Sequence, residues 1–64
     1  MTNQQRIYLI ILQRRIVSLE DLTDITNFKR ITILRAIAPM ILQRKIKAIK
    51  NENNRYFHII NKPL

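Results

Sequence analysis

None of the 64 residues is glycine. Any backbone position that needs a positive φ must therefore be filled by a residue carrying a Cβ, and Asn and Asp tolerate that best. Asn stands at 27, 51, 53 and 54, where the patterning on either side requires turns. Position 27 separates two stretches of helical spacing. Positions 51–54 separate two stretches of alternating spacing. The chain reads as helices first and a β-hairpin last, an α+β fold.

The first helix is expected over about 3–14. Thr2 and Gln5 have the spacing of a capping box, and Ile7, Tyr8 and Ile11 recur at helical intervals on a core-facing side. Leu9, Ile10 and Leu12 spread apolar surface around the rest of the cylinder, beyond the single stripe of an ordinary surface helix. The excess is expected either to be absorbed by the hairpin and C-terminal tail or, the favoured outlet, to be buried against a second copy of the chain. Ile16–Val17 form a short extended link, suited to one rung of a small sheet. A second helix follows at about 19–26, with Ser18 as N-cap, Asp21 at the capping-box position, and Val17 and Leu22 as a hydrophobic staple. Its inward residues are Leu22 and Ile25. Asn27 can end it in the left-handed conformation, and Phe28 plugs the turn.

The third helix is expected over about 29–44, with Ile33, Ile37, Met40 and Ile41 inward and Leu34 beside them. Lys29, Arg30, Thr32, Arg35, Ala36 and Pro39 fall toward the other side. Pro39 removes the hydrogen bond to the Arg35 carbonyl and should kink the helix. The hairpin pairs 46–50 with 55–60 across residues 51–54. Alternation places Ile46, Ala48, Phe57 and Ile59 on one face and Lys47, Ile49, Tyr56, His58 and Ile60 on the other. The tail 61–64 is expected to be loose. No repeat or linker is visible, so 1–64 is read as a single domain.

A chain of this length buries only about 60% of the surface it exposes when unfolded. Small scaffolds of this kind usually carry a staple. With no Cys and a single His, neither a disulfide nor a structural zinc can serve. Dense aliphatic packing and self-association remain. The longest unbroken apolar run, Ile7–Leu12, is far short of the roughly 20 residues of a membrane span. The N-terminus lacks the pattern of a secretion signal. A cytoplasmic protein is expected, nucleoid-associated if bacterial.

The formal net charge is +8, and such an excess implies a polyanionic partner. The charge is also sorted. Three of the four acids, Glu20, Asp21 and Asp24, lie on the second helix, while most cations lie on the third helix and the hairpin. Enzyme chemistry has no foothold: Ser18 is the only Ser, His58 the only His, and a glycine-rich phosphate loop is impossible. No cofactor or metal is expected.

The run Val17-Ser18-Leu19-Glu20-Asp21-Leu22 resembles the lead-in to the second helix of winged helix–turn–helix DNA-binding regulators. Thr32-Ile33-Leu34-Arg35-Ala36-Ile37 resembles their recognition helix, Met40 to Ile46 the run into the wing, and Tyr56-Phe57 the aromatic of the second wing strand. The chain is similar in size and layout to small regulators of fimbrial operons and to phage- or plasmid-encoded repressors. Two positions depart from the family pattern: Arg44 stands where glycine is common, and Pro39 lies inside the recognition helix.

The resemblance implies a three-helix winged helix–turn–helix with a C-terminal wing that binds double-stranded DNA. Lys29, Arg30, Thr32 and Arg35 are then expected to meet bases and phosphates in the major groove. Lys47, Lys50 and Arg55 are expected to track phosphates from the wing, with Asn53 and Asn54 at its tip. A homodimer through the first helix and a protein co-regulator are the further partners expected; a membrane is not. Two alternatives stay open. The fold can act as a protein-interaction adaptor, using Leu9, Leu12, Ile49 and Ile60. It can also bind RNA or single strands through the hairpin, if Tyr56 and Phe57 are exposed to stack on bases.

Overall fold

The computed structural model describes residues 2–60. Along the chain run α1 (Asn3–Arg14), β1 (Ile16–Ser18), α2 (Leu19–Thr26), α3 (Arg30–Leu42), β2 (Ile46–Asn51) and β3 (Asn54–Ile59). The strands form one antiparallel sheet in the order β1-β3-β2. This is an α+β fold, three helices and a C-terminal hairpin in a winged-helix layout. The link at Ile16–Val17 is indeed a rung, lengthened by Ser18, with Val17 opposite Phe57. The tail 61–64, expected to be loose, lies outside the described residues.

Local chemistry sets the helix starts. The Thr2 hydroxyl accepts from the Gln5 N–H at 3.1 Å, and the Gln5 side-chain oxygen accepts from the Thr2 N–H at 3.1 Å. That closes the capping box expected for α1. Ser18 caps α2 by accepting from the Asp21 N–H at 3.0 Å. Glu20 and Asp21 then sit in its first turn, at the positive end of the helix dipole. Asn27 is left-handed, φ 60°, and its N–H donates to the Thr23 carbonyl at 2.8 Å. The buried Thr26 hydroxyl donates to the Leu22 carbonyl at 2.6 Å and accepts from the Phe28 N–H at 3.2 Å. One side chain thus ties the end of α2 to the turn that launches α3.

α3 is shorter than expected at both ends. Lys29 is extended (φ −70°, ψ 153°) and acts as N-cap without a side-chain hydrogen bond. At the other end Arg44 turns left-handed, φ 60°. Its N–H donates to the Ile41 carbonyl at 3.0 Å, and the Lys45 N–H reaches back to Met40 at 2.9 Å. This is the Schellman arrangement, and glycine normally fills the left-handed position. Between its ends α3 runs unbroken through Pro39, and the Gln43 N–H donates to the Pro39 carbonyl at 3.0 Å.

Ile7, Ile11, Val17, Leu19, Leu22, Ile33, Ile37, Met40, Ile46 and Phe57 form the core. Two inward assignments are overturned. Ile25 is 38% exposed and Ile41 36%. Each lies about 70–95° around its helix from the line that meets the core, at 100° per residue. In α2 the inward line is Leu19, Leu22 and Thr26. Tyr8 is half-buried, its ring 6.0 Å from the Lys45 ammonium. Only Ile46 of β2 is buried, so Ala48 lies in the open. The hairpin is also tighter than expected. Asn51 pairs with Asn54, leaving a two-residue turn in which Glu52, φ 54°, takes the left-handed position instead of an Asn. Ile60 stays tied to the sheet's base by its N–H to the Lys45 carbonyl, 3.1 Å.

Arg15, Arg44 and Glu52 thus take positive φ without being Asn or Gly. Arg44→Gly should raise stability by up to about 1 kcal/mol, seen as a Tm several degrees higher, at about 4–8 °C per kcal/mol in a domain this small. A lower Tm would mean that the Arg44 side chain contributes more than its backbone angle costs. Pro39→Ala restores the hydrogen bond to the Arg35 carbonyl and should add about 1–3 kcal/mol, read from the denaturant midpoint.

Candidate nucleic-acid interface

α3 meets the core along Ile33, Ile37 and Met40. The line on its far side, at 100° per residue, is Ile31, Arg35, Ala38 and Leu42, all exposed. Ile31 is 52% exposed and Leu42 84%. Arg35 is the single cation on that line. Lys29 and Arg30 are exposed at the helix's N-terminal end. Thr32 and Ala36, expected to face outward, are half-buried. With Arg35 and Pro39 they form one wall of an open cleft of about 450 Å³, and Thr2, Asn3 and Gln4 of α1 form the other. The start of α1 thereby borders the exposed side of α3.

This packing brings in a cation that linear reading missed. The Arg6 guanidinium lies over the Phe28 ring, 5.7 Å from its centroid. Phe28 precedes Lys29 and Arg30, so Arg6 is held at the same turn by a cation–π contact. Nothing in the sequence marks this pair, because the two residues meet only through the packing of α1 against the helix–turn–helix.

On the hairpin, Lys47 pairs with His58, Lys50 stands directly opposite Arg55, and Asn51 opposite Asn54. Asn53 and Asn54 are exposed at the tip, as are Lys47, Lys50 and Arg55 along its length. Like charges in direct register repel, and the Lys50–Arg55 pair has no buried surface beneath it to compensate. Glu52 is the one acid at this end, while Glu20, Asp21 and Asp24 are exposed on α2. Phe57 is 1% exposed and so closed to stacking on a base, and Tyr56 is half-buried. His58 Nδ1 is 3.0 Å from the Ile59 carbonyl oxygen. Among the described residues no three His, Asp or Glu side chains gather to hold a metal ion, and no helix is long and apolar enough to cross a membrane.

Lys50→Glu turns the repelling pair into an attracting one. It should stabilise the free protein by several tenths of a kcal/mol at low salt, with the gain shrinking as salt screens it. Thermal unfolding of both proteins across a salt series measures this. No protein-family model, curated protein or solved structure matches the chain.

Proposed function

We propose that the chain is a sequence-specific regulator that binds double-stranded DNA, with α3 in the major groove and the hairpin as a basic wing. The observation that carries this reading is the separation of charge on a winged-helix layout. α3 and the hairpin arms present exposed cations, and the helical acids are confined to α2. In this reading Arg30 and Arg35 contact bases, Lys29 and Arg6 hold phosphates at the start of α3, and Lys47, Lys50 and Arg55 follow the backbone along the wing. Thr32 lies beside Arg35 at the edge of the groove, and Asn53 and Asn54 cap the wing tip. A polyanion between Lys50 and Arg55 would relieve their repulsion. Such a chain acts by occupying an operator or by recruiting a co-regulator.

Leu9 and Leu12 remain exposed on α1, and a homodimer through that helix would cover them. Two copies would then span half-sites about 34–36 Å apart. A regulator of this kind would work in the cytoplasm, at the nucleoid if the cell is bacterial.

The test is a mobility-shift titration against the DNA flanking the chain's own gene. Roughly six phosphate contacts give a slope of about −5 for log affinity against log salt. Arg35→Ala should lose about tenfold or more on the preferred site and little on random duplex. Lys50→Ala should weaken all sequences alike and lessen the slope by about 1. Specific binding unchanged by both Arg30→Ala and Arg35→Ala would overturn the assignment of α3.

A second reading is favoured by the apolar part of the same line, Ile31 and Leu42. It is a protein-docking adaptor. A partner retained after nuclease treatment and in high salt, with no duplex binding, would select it. Binding of RNA or single strands is the weaker alternative, since Phe57 is closed and only Tyr56 is left to stack.

A further inference from the structure

The outward line of α3 sets one guanidinium between two apolar side chains, Ile31 a turn before Arg35 and Ala38 a turn after it. Ile31 is 52% exposed and lies outside the core, so the fold leaves about half of its apolar surface uncovered. Its neighbours Lys29 and Arg30 are exposed cations, and α3 carries no acid at all. The surface that fits this line must combine negative charge with small apolar groups at close spacing. In the major groove of duplex DNA the C5-methyl of thymine is that group, set among base-edge acceptors and flanked by phosphates.

We infer that α3 reads a guanine flanked by thymines. Arg35 takes the O6 and N7 acceptors of the guanine, and Ile31 and Ala38 close over thymine methyls on either side. The inference rests on the duplex-DNA reading above and makes it specific. A helix rises 1.5 Å per residue, so Ile31 and Ala38 stand about 6 Å before and about 4.5 Å after Arg35 along the axis. With base pairs about 3.4 Å apart, the two thymines fall within about two base pairs of the guanine. Ile31 is the specificity-determining residue that charge alone does not reveal. Its branched side chain covers a methyl that Ala38 meets only with its own.

The experiment has two stages. Selection from random duplexes with the wild-type chain should return a G with T on both sides within about two base pairs. Each T of the selected site is then replaced by deoxyuridine, which removes the methyl and keeps the pairing. At the thymine facing Ile31, wild-type binding should weaken about three- to fivefold, the scale of one buried methyl group. Ile31→Ala should bind the thymine site more weakly and show almost no further loss on the uridine site. Ile31 is exposed, so this variant should unfold at the wild-type temperature; the uridine series on the unaltered protein tests the point without it. Equal affinity for thymine and uridine sites, with sequence preference intact, would overturn this inference and leave the DNA reading standing. No duplex binding at any salt would overturn both, and would return Ile31 and Leu42 to the adaptor reading.

Discussion

The whole fold depends on the position of β3. It is the last element among the described residues and the middle strand of the sheet, bonded on one side to β1 from the helical half and on the other to β2. Its buried Phe57 stands opposite Val17 of β1, and β3 packs against α1 and α2, so one strand ties the sheet's inner face to the first two helices. A chain with no disulfide to staple it relies on such shared burial. α3 packs against α1, α2 and β2, the strand that β3 holds in the sheet, so the side α3 turns outward depends on contacts that no local pattern contains.

This explains which parts of the fold were legible in the sequence. Short-range chemistry was: the Thr2–Gln5 box, the Ser18 cap, and Asn27 as the left-handed stop of α2. The lines Ile7–Ile11 and Ile33–Ile37–Met40 were also legible, because helical periodicity needs no partner to be seen. Ile25 and Ile41 were misread because apolar character alone does not say where on the cylinder the neighbour sits. The positive φ of Arg15, Arg44 and Glu52 was beyond reach of residue preference. In a chain without glycine, the closing geometry of each element chose the residue at that position, whatever it was.

The candidate surface divides in the same way. Exposed cations at 35, 47, 50 and 55 follow from charge and spacing, while Lys29 and Arg30 owe their exposure to their place at the start of α3. Thr32 was drawn into that set by its polarity, yet α1 packs close enough to half-cover it. Arg6 entered through a contact with Phe28 that only packing creates. Ile31 was passed over because charge was the signal followed, and an uncharged residue shows as part of the surface only once the core is seen to lie elsewhere. In the proposed function, affinity would come from the cations and discrimination from the mixed line they flank.

The single buried residue of β2 has a mechanical consequence. From Lys50 and Arg55 outward the ribbon projects past β1 and the core like a cantilever, held by ladder hydrogen bonds alone. A two-stranded ribbon without a hydrophobic face is marginal in water, so its far half opens more readily than its root. An arm that is soft when alone and firm when clamped adapts to surfaces of differing width without disturbing the packed base. It also defers part of the ordering cost to the moment of contact, which favours quick release.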